Sequence, residues 1–415
     1  MSVNNKNILF SAHSIQDVKL YISLFKYSDT KNVLLTFRLS SHLFARFNGI
    51  KSKTMFHIPL VASIYPLFNR IKDNHYDVDA RLYSSFNINK NYFKKSFYFC
   101  QKYIKKHIKP LAFDIIFLTG EARINEQAIV KSACNSKIFF WEAGPKGQIY
   151  FSENGVNANA NFSSNKNSLS YKFNQLCSPL NDKVATKDSF IIFFKTLELI
   201  YIYIIKWIFR NHEMNEVLPK INSFFIKNNI PINKRPEQYI LFIDQVELDV
   251  NNTHHGARVE DILKKINNIF KLTKISKPSL KLVRRAHPRQ LKTNIANNLS
   301  REFKNIYVDS SEGSLEEAIS QSFLVMTVNS TGGLDSLLSG MPVYLFGKSY
   351  YQDLYGVIND INLEHYLKEE LFLEKELIIQ KATSFIENNF IPIDYRGGNF
   401  KHIAKFDNFL DFLSI

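Results

Sequence analysis

Short, unbroken apolar runs alternate with amphipathic stretches along most of the chain. The runs begin at Asn7-Ile-Leu-Phe-Ser-Ala-His-Ser14 and Val33 to Phe37, then Phe113 to Gly120 and Lys137 to Trp141. They resume at Tyr239 to Ile243, Leu280 to Val283, Ile306 to Val308, Leu324 to Val328 and Val343 to Phe346. Runs without polar alternation predict strands of parallel sheet covered on both faces. Between them lie helical periodicities: Val18, Leu20, Ile22 and Leu24; Ala128 to Ala133; Ile262 to Phe270; Ile295 to Phe303; Leu315 to Gln321; and Leu334, Leu337 and Leu338. Strand and helix in alternation predict an α/β protein.

Three stretches break the alternation. Residues 40–110 are aromatic and basic with no clear period, and 160–187 are polar and Ser/Asn-rich, predicting a loop. Phe190 to Phe209 is nearly continuous apolar sequence. A membrane-crossing helix needs about 20 such residues. Lys195, Glu198 and Lys206 interrupt this one at depths where charge is costly. The expectation is a helix buried in the protein or lying on a membrane surface, rather than a spanning one. The strand–helix pattern restarts past Pro231 and Pro236, and Leu371 to Ile415 reads as helical. The predicted division is 1–187 as a first Rossmann-like, acceptor-side domain and 188–235 as a helical connection. Residues 236–369 form a second, nucleotide-binding domain, and 370–415 form helices that cross back to the first. Two Rossmann-like domains facing a cleft resemble the architecture called GT-B.

Ligands of such sheets gather at the carboxyl ends of the strands, and four polar clusters fall there. They are Trp141-Glu142-Ala-Gly144; Asp244-Gln245-Val-Glu-Leu-Asp249 with His254-His255 behind it; Arg285-Ala-His287-Pro288; and Asn329-Ser330-Thr331-Gly332-Gly333. The last opens a helix stopped by Gly340, and its free N–H groups and dipole suit a phosphate. The same residues are good capping chemistry, so an ordinary strand–turn–helix is the competing reading. Glu142 as a helix cap, Asp249 as a turn residue and His287 as a satisfied core histidine are the plainer alternatives for the others. Carboxylates together with a phosphate seat suit glycosyl transfer. His254-His255 and Asp249 lack further ligands at a metal spacing, so no metal is expected. No Walker loop, GxGxxG or zinc-finger spacing occurs.

The net charge is +15, from basic residues scattered rather than gathered in a tail. That favours soft attraction to polyanions, an anionic membrane surface among them, or is simply a solvated Lys-rich surface. No RNA- or DNA-binding motif accompanies it, so nucleic acid is not an expected partner. Three widely spaced cysteines suit a reducing compartment. The polar N-terminus shows no secretory signal, and the expected address is cytoplasmic, at the periphery of the inner membrane.

In order, the clusters resemble the capsule polysaccharide biosynthesis family, whose members transfer Kdo from CMP-Kdo with retention. The likeness runs from about residue 111 through Gly120-Glu-Ala-Arg123, Glu142-Ala-Gly144 with Glu153-Asn-Gly155-Val-Asn157, Gln245 to Asp249, and Arg285-Ala-His287-Pro288. It closes on Asn329-Ser-Thr, Gly340-Met-Pro-Val and Gly347-Lys-Ser-Tyr350. The resemblance implies a double displacement with Asp249 as nucleophile and Glu142 as general base. It also implies that His287, Ser330, Thr331 and Gly332 hold the CMP phosphate, with Asn329, Asp335 and Gly347 nearby, and that Gln245 and Arg285 orient donor groups. The implied partners are a CMP-sugar donor and a lipid-linked or polysaccharide acceptor, with no cofactor. Two departures stand out. Pro145-Lys-Gly-Gln148 replaces the family's Tyr-Leu-Arg-Pro, and Arg285 stands where Lys is usual. Lys146 lacks the planar fork of the missing arginine. A non-catalytic capsule assembly or export component, or a transferase using another nucleotide sugar, are the competing functions.

Overall fold

Each of these apolar runs is a strand of a parallel sheet. The computed structural model describes residues 6–50, 52–54, 90–108, 112–121, 123–133, 135–160, 162, 168–184, 188–209, 239–245, 255–276, 280–287, 306–309, 314–395 and 397–414. Two compact units emerge: Met1–Tyr83, Asn87–Met214 and Glu387–Ile415 form one, and Ser84–Phe86 with Asn215–Ile386 the other.

The first unit opens with β1 (Asn7–Ala12), α1 (Ile15–Phe25), β2 (Lys31–Thr36), α2 (Leu39–Phe47), β3 (Ser52–Thr54) and α3 (Lys90–Tyr103). It continues with β4 (Ile115–Leu118), α4 (Ile124–Val130), β5 (Lys137–Ala143), β6 (Ile149–Ser152), α5 (Leu169–Leu176), β7 (Ser178–Lys183) and α6 (Asp188–Phe209). The second holds β8 (Tyr239–Ile243), α7 (Val259–Ser276), β9 (Lys281–Arg285), β10 (Ile306–Asp309), α8 (Leu315–Ser320), β11 (Ser322–Thr327) and α9 (Thr331–Leu338). After β12 (Val343–Leu345), β13 (Val357–Ile358) and α10 (Asp360–Leu367), α11 (Lys375–Asn389) leads back to β14 (Lys401–Ala404) and α12 (Phe406–Leu413) of the first unit.

The two main sheets repeat one topology. Their orders are β3-β2-β1-β4-β5-β6 and β10-β9-β8-β11-β12-β13. In each, the first strand is central, the next two step outward on one side, and the chain then crosses to the other. The reversal falls between β1 and β4, and between β8 and β11, and opens a crevice at the carboxyl ends of those strands. All pairs are parallel except β5 with β6.

Burial follows the strand pattern. Phe10, Phe117, Phe139 and Trp141 share one core with α1, α2, α6 and α12, through Val18, Leu24, Phe44, Phe194, Phe406 and Phe409. Removing one such phenyl ring costs about 3–5 kcal/mol. In the second unit Ile240, Phe242, Leu282, Leu324 and Met326 pack under Ile262, Ile266 and Ile269 of α7. Helix α1 starts in a complete capping box, Ser14 with Asp17, a device worth about 1 kcal/mol.

Two sequence expectations change. The polar stretch 160–187 carries α5 and β7 rather than a loop: Ser168 caps the helix, Phe173 enters the core, and β7 gains its ladder by pairing antiparallel with β14. The same partnership makes residues 401–404 a strand inside a C-terminal segment expected to be all helical. Distant pairing of this kind leaves no local period to read. The apolar run at 190–209 is indeed a helix, and no helix among the described residues is long and apolar enough to cross a membrane. Glu198 is buried where α6 packs on α2, accepting from Ser40 with Arg38 at 3.9 Å. Ile192, Phe193 and Ile200 are exposed on the same helix.

Candidate functional site

The second unit's reversal point is built from the ends of β8 and β11. Past β8 come Asp244 and Gln245, and past β11 come Val328, Asn329 and Ser330. Gln245 Nε2 donates to Asn329 Oδ1 at 2.9 Å, and the Asn329 backbone N–H donates to Gln245 Oε1 at 2.9 Å. Both residues are buried. A buried amide pair satisfied in both directions fixes the turn that feeds α9.

The floor is ionic. The Arg284 Nε and Nη2 atoms donate to Asp244 Oδ2 at 3.0 and 2.5 Å, while Asp244 Oδ1 accepts from the Gln245 N–H at 3.0 Å. Neighbours on a strand point to opposite faces, so Arg285 turns away from Asp244 and reaches the Ser314 carbonyl at 3.4 Å. The Asp244 N–H donates to the Arg285 carbonyl, tying β8 to β9 at the same level.

Helix α9 opens at this turn. Ser330 is its N-cap and accepts from the Gly332 N–H at 3.2 Å, and the Gly333 N–H donates to the Ser330 carbonyl at 3.0 Å. The first helical N–H, of Thr331, finds no acceptor among the described residues. From beneath, the buried Tyr351 hydroxyl donates to the Ser330 carbonyl. Burial holds that phenol far above its ordinary pKa, so it remains a donor. A Cβ on Gly333 would lie 2.2 Å from the Tyr351 oxygen, so only glycine admits this support. The result is a rigid helix start at the crevice with an N–H left open, the arrangement that receives an anion.

Of the residues expected at the site, Gln245, Asn329, Ser330, Thr331 and Gly332 come together here. Asp335 lies one turn up α9 and His287 just past β9, both half-buried. Gly347 is committed otherwise. Its N–H donates to the Val328 carbonyl at 2.8 Å, and a Cβ there would sit 2.4 Å from the His255 carbonyl oxygen. Asp249 and His254 lie outside the described residues. Among the described residues no three His, Cys, Asp or Glu side chains gather as metal ligands.

Glu142 belongs to the first unit, at the carboxyl end of β5. It stands opposite Tyr150 of β6, whose hydroxyl donates to Glu142 Oε2 at 3.5 Å and accepts from the Asn157 N–H at 2.8 Å. Glu121 is spent structurally: its two oxygens accept from Val156 N and Asn159 Nδ2, each at 2.8 Å. Gly144 carries no side chain because a Cβ would strike the Phe390 ring at 2.2 Å. At the reversal between β1 and β4, His13 Nε2 is hydrogen-bonded to Glu126 of α4, whose side chain is 0% exposed. The sequence shows His13 only at the end of its first apolar run and gives no sign of Glu126, Tyr351 or Arg284. A glutamate in a helical stretch and an arginine in a doublet give no local sign of a distant partner.

Residues 203–388 match the family described as capsule polysaccharide biosynthesis protein. No curated protein sequence matches the chain. Among solved structures, the chain is similar to KpsC of Thermosulfurimonas dismutans, described as a beta Kdo 2,7 transferase. That likeness has 12% identity, 99% of this chain and 100% of that chain covered, and a TM-score of 0.41. It is also similar to a KpsC of the same organism described as a beta Kdo 2,4 transferase, at 13% identity, 72% and 87% coverage and a TM-score of 0.36. A third likeness is to S. aureus MnaA with UDP, at 12% identity, 91% and 90% coverage and a TM-score of 0.36. The match to the capsule polysaccharide biosynthesis family thus lies in residues 203–388, which include the β8 and β11 strand ends and the α9 start.

Proposed function

We propose that the protein is a retaining glycosyltransferase that moves Kdo from CMP-Kdo to a lipid- or glycan-linked acceptor in bacterial surface polysaccharide synthesis. The observation that carries this reading is the Gln245–Asn329 lock. It holds the Ser330-Thr331 helix start rigidly at the reversal point of a sheet, within the stretch that matches the family. Such a start neutralises a phosphate without having to reorganise, which favours departure of CMP.

In the first displacement the Asp249 carboxylate attacks the anomeric carbon. The bond to the CMP phosphate breaks, leaving a glycosyl ester and CMP. In the second, Glu142 takes the acceptor proton, the acceptor oxygen attacks the same carbon, and Asp249 is freed. Two inversions retain configuration. His287 and the α9 start hold the phosphate. Gln245 contributes by fixing Asn329, and Arg285 by its charge beside the crevice. No metal or cofactor enters these steps. The exposed apolar residues of α6 and the net charge of +15 support peripheral attachment to an anionic membrane.

Nucleotide selectivity tests the reading. CMP should raise the melting temperature of the wild-type chain and UDP should not. Thr331→Pro removes the open N–H at a position proline tolerates and should abolish the CMP response. Equal stabilisation by UDP would contradict the CMP assignment.

A further inference from the structure

The two units share a topology but dress their reversal points in opposite ways. In the second, the α9 start keeps an N–H open. In the first, the α1 start is filled by its own carboxylate. Asp17 Oδ2 accepts from the His13 and Ser14 N–H groups at 2.6 and 3.0 Å, and Oδ1 accepts from Ser14 Oγ at 2.6 Å and from the Tyr395 hydroxyl. An anion has no seat there.

Beside it stands a carboxylate–imidazole pair. Glu126 Oε1 is bonded to His13 Nε2, and Glu126 Oε2 is buried with no hydrogen-bond partner. The imidazole stacks on Phe37, with ring centroids 4.4 Å apart and planes 20° from parallel, so its orientation is set from two sides. The His13 side chain is 14% exposed, and its Nδ1 makes no hydrogen bond among the described residues. With Nε2–H donating to the carboxylate, Nδ1 presents a lone pair. The surrounding charges are Glu126, Asp17 and the half-exposed Arg123. Burial is the largest influence on the ring and lowers its pKa, with Arg123 acting the same way and Glu126 and Asp17 opposing. The ring is therefore neutral near pH 7, an acceptor rather than a cation.

Register extends the site toward Glu142. Phe10, Phe117 and Phe139 align across β1, β4 and β5. His13 and Glu142 each follow three residues beyond that row, on strands separated by one neighbour, or about 10 Å.

We propose that the carboxyl edge of the first sheet is a saccharide subsite in which His13 Nδ1 accepts a hydrogen bond from a neutral sugar hydroxyl, the imidazole being held by Glu126. This deepens the glycosyltransferase reading and rests on it for the sugar's role as acceptor. His13 is a binding residue here, and the proton transfer stays with Glu142.

The test has two readouts. With the histidine rings labelled with nitrogen-15, His13 is assigned in the full chain by its absence from His13→Gln. At neutral pH its Nδ1 should show the unprotonated shift. Methyl galactoside or methyl N-acetylglucosaminide should move that shift, and inorganic phosphate should not. A protonated Nδ1, a response to phosphate alone, or no response to either glycoside overturns the proposal. In the transfer assay, His13→Gln keeps an N–H donor for Glu126 but lacks Nδ1. It should raise the acceptor KM on the order of tenfold, one lost hydrogen bond, with the KM for CMP-Kdo unchanged. An unchanged acceptor KM also overturns it. If the wild type releases no CMP from CMP-Kdo yet Nδ1 answers the glycosides, the transferase reading fails while the subsite stands.

Discussion

Gln245 and Asn329 are joined by two hydrogen bonds of 2.9 Å, one to the asparagine side chain and one to its backbone. The pair welds the ends of adjacent strands β8 and β11 at the point where the chain reverses direction across the sheet. Truncating either partner leaves a buried polar group unpaired. Gln245→Leu and Asn329→Ala should each destabilise by about 1–3 kcal/mol. The double variant should fall short of the sum by about 0.5–3 kcal/mol. Urea melts of the four proteins measure the coupling, and strict additivity would deny the lock.

Gly333 and Tyr351 form a second dependence. Gly333→Ala drives a Cβ to 2.2 Å from the Tyr351 oxygen, an overpacking cost of about 1–3 kcal/mol. Tyr351→Phe removes the offending atom at the loss of one hydrogen bond, about 1 kcal/mol. The double variant should therefore be more stable than Gly333→Ala alone, by thermal melts. A double variant less stable than Gly333→Ala would contradict the geometry.

Legibility divides by distance along the chain. The central strands of both sheets were readable because Tyr239 to Ile243 or Leu324 to Thr327 are buried on both faces and so carry no polar alternation, whereas β3, β6 and β13 were not read. The Ser330 cap was readable because capping is local. Tyr351 was not, because its partner stands 21 residues away and a tyrosine beside Tyr350 offers no way to choose between them. Strand β7 hid for the same reason. Its sequence, Ser-Pro-Leu-Asn-Asp-Lys, is polar, and only β14, more than two hundred residues on, makes it a strand. At the first unit's reversal point His13 was visible at a strand end, but the carboxylate orienting it sits in α4.

Attachment to membranes is tested on α6. Ile192 and Phe193 are 64% and 54% exposed. Ile192→Ser with Phe193→Ser should leave the melting temperature within a degree or two and weaken co-sedimentation with vesicles containing phosphatidylserine by about tenfold or more. Neutral vesicles should bind the wild type less, and high salt should reduce binding. Undiminished binding by the double variant would remove α6 from the membrane interface.

His13 predicts a pH dependence of stability. Its pKa in the folded chain lies below its ordinary value of 6.5, chiefly through burial. The unfolded chain therefore binds the proton first. Stability from this residue is fully present above about pH 6.5 and declines as pH falls from there through the lower folded value. His42 and His402 are shifted the same way and add to the slope. Melting temperatures from pH 7.5 downward should fall less steeply for His13→Gln than for the wild type, and parallel curves would contradict the shift.

The central claim is transfer from a CMP-activated sugar with Asp249 as nucleophile. The most direct measurement incubates the purified chain with CMP-Kdo and a lipid extract of the source organism and follows release of CMP. The account predicts CMP release by the wild type that vanishes in Asp249→Ala, while circular dichroism and CMP-induced stabilisation of the variant stay as in the wild type. Release undiminished in Asp249→Ala, or absent from the wild type, would contradict it.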